Sequence, residues 1–169
     1  MRTTLISVII LFLIAGGVFT AAAANETGNS SEVNKTVKGG IQPLSWASGI
    51  EVEPSTISLG TVYPDGIERS YPNAVTVTVT YLVALGDTLL VRGSGDLVNT
   101  AESSLRIPLS SLKFSTPSLS KRSFTTSDQA IMTYSGLFGS KSVTMSLYIT
   151  VPPYTDPGTY QTTLIYTST

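Results

Sequence analysis

From residue 50 onward the apolar positions return every second residue, the period of an extended strand whose alternate side chains face opposite ways. The clearest run is residues 75–83, where Val75, Val77, Val79, Tyr81 and Val83 alternate with Thr76, Thr78 and Thr80. β-branched residues on both sides, one apolar and one hydroxylated, suit a half-buried sheet. Residues 142–151 repeat the pattern with Val143, Met145, Leu147, Ile149 and Val151, and residues 159–167 place Tyr160, Leu164 and Tyr166 on one face with Ile165 opposite. Weaker strands are expected at residues 50–53, 57–62, 88–92, 105–109, 112–114 and 131–134. No window carries the three-to-four-residue spacing of a long amphipathic helix.

Turn chemistry separates these runs. Tyr63-Pro64-Asp65-Gly66 and Asp156-Pro157-Gly158 set proline early in a turn and glycine at its end, and Gly93-Ser94-Gly95-Asp96 tolerates positive φ. Pro152-Pro153 donates no ladder hydrogen bonds and so ends the strand before it or lies at an edge. Seven to nine short strands at such intervals predict an all-β, immunoglobulin-like antiparallel β-sandwich.

The start of the chain differs. Arg2 precedes an apolar run from Leu5 to Phe19, followed by the small residues Ala21 to Ala24, the arrangement of an export signal cut near Ala24. The alternative is a retained membrane anchor, since the run approaches the ~20 residues that span a bilayer. Residues 25–48 are rich in Asn, Ser, Thr, Gly and Lys and poor in large apolar side chains, which predicts a disordered linker or stalk. It holds three Asn-x-Ser/Thr sequons, at Asn25, Asn29 and Asn34, and glycosylation there is the expectation. The organisation expected is therefore a signal peptide at 1–24, a linker at 25–48 and a β-sandwich at 49–169.

Composition narrows the function. Charged residues make up 12% of the chain, against roughly 25% in an ordinary soluble domain. Without residues 1–24, Arg2 is lost and nine basic residues face eleven acidic ones, a net charge of −2 that attracts neither nucleic acid nor anionic lipid in bulk. With no cysteine there are no disulfides and no thiolate chemistry, and with no histidine the commonest general base and transition-metal ligand are missing.

Two segments, Ile57-Ser58-Leu59-Gly60-Thr61-Val62 with the Val/Thr strand after it, and Val151-Pro152-Pro153-Tyr154-Thr155-Asp156-Pro157-Gly158-Thr159-Tyr160 with its Thr-rich closing strand, resemble secreted microbial β-sandwich surface modules of the WxL-like kind. The resemblance implies export, a sandwich fold and a surface role. The Trp-x-Leu signature is absent, the one tryptophan standing in Trp46-Ala47-Ser48 ahead of the domain, so peptidoglycan binding of that type is not implied.

Candidate chemistry is sparse. Glu51 and Glu53, two apart, share a strand face, and Asp87 and Asp96 flank the strand at 88–92 beside glycines; carboxylates so placed suit glycosidic chemistry or calcium, or simply a charged edge and Asp-Gly turns. Ser140 and Lys141, as strand neighbours, face opposite ways, and Lys121-Arg122 is too small for a nucleic-acid footprint. Trp46, with Leu44 and Ile50 near it, is the candidate for docking on another subunit, or else for plugging its own domain. The expectation is a non-enzymatic structural or adhesive protein, without cofactor or metal, whose partners are other surface proteins, cell-wall material or itself. The alternatives are a filament subunit assembled by strand addition from its N-terminal tail, and an extracellular carboxylate-based hydrolase. Contact with a membrane is expected only if the leader is retained.

Overall fold

A computed structural model of the chain describes residues 7–15 and 46–169. It is nearly all β, with no α-helix among the described residues. The strands are β1 (Ser7–Ala15), β2 (Trp46–Glu53), β3 (Thr56–Val62), β4 (Glu68–Gly93), β5 (Leu97–Asn99), β6 (Arg106–Ile107), β7 (Leu112–Thr116), β8 (Leu119–Ser123), β9 (Gln129–Gly136), β10 (Gly139–Thr150) and β11 (Gly158–Ser168). A 3₁₀ turn, Leu109–Ser111, links β6 to β7.

The sheet is antiparallel apart from the β1–β3 pairing, and it curls about β4. The first half of β4 pairs with β10 and β2, and β10 passes the ladder on to β7 and β8. The second half pairs with β9 and β11, and beyond β11 lie β1 and then β3. The expected strands at 75–83 and 88–92 are thus one 26-residue strand. No turn interrupts them, because Gly86, at φ +97°, sits where the register against β9 shifts between Leu85 and Asp87; the bulge bends the strand without ending it. The described residues hold eleven strands where seven to nine were expected, and the expected strand at 105–109 is reduced to β6 and the 3₁₀ turn.

The period-two pattern does decide which side is buried. Val75, Val77 and Val79 are buried and pack in one cluster with Leu89, Val91, Phe114, Met145, Leu147, Ile149, Tyr160, Leu164 and Tyr166. Phe114 and Phe124 add a ring pair at 4.6 Å between centroids. On the opposite face the hydroxyls bond across the ladder, Thr76 to Thr144 at 3.1 Å and Thr78 to Ser142 at 2.8 Å, matching their register.

Candidate functional site

Two poles of exposed apolar side chains and one strand position stand out on this sheet. The first pole is built by the loops after β3 and β10. Asp65 accepts a hydrogen bond from the Ile67 amide at 2.9 Å, and Gly66, at φ +72°, donates its amide to the Val151 carbonyl at 3.1 Å, so the two loops are tied together. The Ile67 amide, and then Arg69, hold the Asp65 carboxyl below its usual range. Pro152-Pro153 follows the end of β10, and Thr155 bonds back to the Pro152 carbonyl at 2.7 Å. Between them Tyr154 has a φ of +65° and is 99% exposed, and Tyr63 and Ile67 stand exposed on the neighbouring loop. Beneath them the buried Tyr160 hydroxyl donates to the Asp156 carbonyl at 2.9 Å.

The second pole lies at the other end of β10, since Gly139 is opposite Tyr81 whereas Thr150 is opposite Glu68. Twelve residues of strand put the poles roughly 40 Å apart. Here the β9–β10 hairpin closes over Tyr81, whose ring stacks at 5.2 Å on Tyr134. A Cβ at Gly136 or Gly139 would come to 3.2 Å from the Tyr81 ring or hydroxyl, so glycine lets the hairpin lie flat while Leu137 and Phe138 project from its tip. Leu82 and Leu85 of β4 project beside them. Tyr134 hydrogen-bonds Ser168, and burial raises its phenol above the usual range. All seven large apolar side chains that stand exposed among the described residues belong to these two poles.

The slot is the position of β1 between β3 and β11. Antiparallel to β11, it runs from Ser7 opposite Tyr166 to Ala15 opposite Gly158, and it pairs parallel to β3 from Ile10 beside Thr56 to Ala15 beside Val62. β1 is the strand partner of β3 in the ladder. On β11 the Tyr166 hydroxyl is buried without a hydrogen-bond partner among the described residues, and burial pushes its phenol far up.

The residues singled out from the sequence are dispersed over this frame. Ile50, half-buried against the core, lies on β2 opposite Val79, and Trp46 opens the same strand opposite Val83; Leu44, Asn25, Asn29 and Asn34 lie outside the described residues. Glu51 and Glu53 are exposed on β2, opposite Thr78 and Thr76. Asp87 is buried on β4 opposite Tyr134, while Asp96 is exposed and accepts the Leu109 amide at 2.9 Å. Six residues of strand separate Asp87 from the end of β4, about 20 Å, so the pair is not brought together. No group of three or more Asp, Glu, His or Cys residues able to hold a metal ion occurs among the described residues.

Sequence reasoning missed a charged ledge on β4, β7, β8 and β10. Glu68 accepts from Lys113 at 3.0 Å and from Lys121, and these hydrogen bonds, Lys121 first, lower its carboxyl below the usual range. Lys121 also lies 4.1 Å from the centre of the Tyr148 ring, so Lys121 belongs to a strand surface and not to a loop. A shallow groove of about 380 Å³ runs between Pro54, Thr56 and Ile57 on one wall and Tyr71, Pro72 and Ala74 on the other. The Tyr71 hydroxyl spans it to the Leu59 carbonyl at 2.6 Å, and burial raises its phenol.

No protein-family model and no curated protein matches the chain. Among solved structures it is similar to a family 123 glycoside hydrolase from Clostridium perfringens, with a TM-score of 0.39 and 14% identity over 62% of this chain. The likeness spans 18% of that hydrolase chain, and at this score it carries over neither fold family nor chemistry.

Proposed function

We propose that this chain is an exported structural or adhesive protein of the cell surface, acting through protein contacts at the two poles of an immunoglobulin-like sandwich. The carrying observation is the placement of exposed Tyr63, Ile67 and Tyr154 at one pole and Leu82, Leu85, Leu137 and Phe138 at the other. Exposed apolar clusters that face water without cover are costly and mark surfaces meant for a partner. Between the poles the sheet carries a neutral, hydroxyl-bonded face and 12% charge over the chain, a dress that suits the outside of a cell. The leader at 1–24, the sequons at Asn25, Asn29 and Asn34, and the resemblance to WxL-like surface modules support export.

Fractionation of the producing cells, with protease added to intact cells, tests this. Surface location is supported by protease-sensitive protein whose N terminus lies near residue 25; protein held in the cytosol with residues 1–24 attached refutes it.

A second reading, a filament subunit built by strand addition, is favoured by one observation: an apolar segment from the leader occupies the middle of the β3–β1–β11 ladder. A carboxylate-based hydrolase has less support, because Glu51 and Glu53 share β2 while Asp87 lies on β4 and Asp96 in the loop after it.

A further inference from the structure

We propose that the place β1 holds between β3 and β11 is an acceptor slot for a strand donated by a second copy of this chain, joining copies pole to pole; this rests on the export reading above, with residues 1–24 removed. A strand read as part of a cleaved leader cannot remain in the ladder of the exported protein. Its loss opens one edge of β11 along residues 158–166, the other edge keeping β5 and β4, and leaves β3 without its strand partner. Unpaired backbone groups over that length are costly where they are buried, and a sheet with two open facing edges takes up an added strand.

The polarity of the slot then fixes how copies meet. A strand running as β1 does leaves the acceptor at Ala15's position, beside Val62 and Gly158, which is the first pole. In the donor the same chain leads into β2, whose first residue, Trp46, is opposite Val83 at the second pole. The first pole of each acceptor therefore faces the second pole of its donor. Those are the surfaces where Tyr63, Ile67 and Tyr154, and Leu82, Leu85, Leu137 and Phe138, stand uncovered. A contact between two different faces does not close on itself and propagates into an open chain of subunits.

The donated segment is residues 25–45 of the second copy. Val33, Val37 and Ile41 stand at even spacing, so an extended chain presents them on one side, together with Lys35 and Gly39. Four residues separate Ile41 from Trp46, a span of at most about 18 Å, which keeps the joined poles in touch.

The absence of native cysteine makes disulfide trapping clean. The full chain is to be expressed with its leader in an exporting host, its exported form checked by intact mass, and cysteines placed in tail and acceptor together: Thr36→Cys or Lys38→Cys with Gln161→Cys or Thr163→Cys. Each double variant that joins copies yields a ladder of disulfide-linked dimers, trimers and higher species that collapses on reduction, whereas single variants stop at dimers. Phe138→Ser, which strips one pole, should lower assembly about tenfold. Exported protein that has lost residues 1–24, shows a β circular dichroism spectrum and gives no ladder from any double variant overturns the strand donation while leaving the surface reading standing. Exported protein that retains residues 1–24 overturns both the cleavage and the donation.

Discussion

At Gly158, where the second proline-glycine turn ends, a side chain is excluded by a close neighbour. A Cβ there would lie 2.0 Å from the Asn99 amide nitrogen. Asn99 is buried, its carboxamide oxygen accepting the Ala101 and Glu102 amides at 2.8 and 3.1 Å, so it has little freedom to retreat. Gly158→Ala should therefore lower stability by about 1 to 3 kcal/mol, read as a shift of the urea midpoint at unchanged slope. Tyr166→Phe should act in the opposite direction. It removes a buried hydroxyl that finds no partner among the described residues, and the gain should reach about 1 kcal/mol. A loss of comparable size would mean that the phenol is bonded in the folded protein. Tyr154 combines both arguments: its positive φ is strained for a residue with a Cβ, yet its ring is the most exposed at the first pole. Tyr154→Gly should raise the melting temperature of the monomer while weakening assembly, and the two readouts are separable by dilution.

Among the elements, period-two runs were legible because burial follows them residue by residue, as Val75, Val77 and Val79 against Thr76, Thr78 and Thr80 show. The bend of β4 was not legible, since Gly86-Asp87 reads as a turn and becomes a bulge inside one strand. Gly86 lies at φ +97° with open space around its Cα, so Gly86→Ala meets only the backbone penalty, about 1 kcal/mol, and a loss of more than that would mean that the bend is coupled to the core. β8, Leu119–Ser123, escaped notice because its residues are polar and partly exposed, and β5 is too short to show a period. β1 escaped because an unbroken apolar run carries no alternation and reads as an export leader. The poles were invisible for a related reason: Leu137 and Phe138 are apolar letters like those of the core, and only the hairpin that lifts them over Tyr81 exposes them.

For the molecule as a whole, the charges predict how stability responds to pH. The chain has no histidine, so no side chain ordinarily titrates between about pH 6 and 8, and stability should be nearly flat across that interval. Asp65 and Glu68 have lowered carboxyl pKa values in the folded chain, the first through the Ile67 amide and the second through Lys121. Groups of this kind stabilise the fold above the ordinary carboxylate range and lose that contribution as pH falls through the lowered value. Both are partly exposed, so the decline below about pH 4 should be shallow, and thermal melts from pH 3 to 8 check it. A steep loss between pH 6 and 7 would point to a group outside this account. On the proposed strand donation, the sheet of each subunit is completed by its neighbour. Electron microscopy of the exported full chain is the most direct test: the account expects filaments one domain thick with an axial repeat of roughly 40 Å, the length of the sheet from pole to pole. Folded monomers that stay dispersed at high concentration would contradict it.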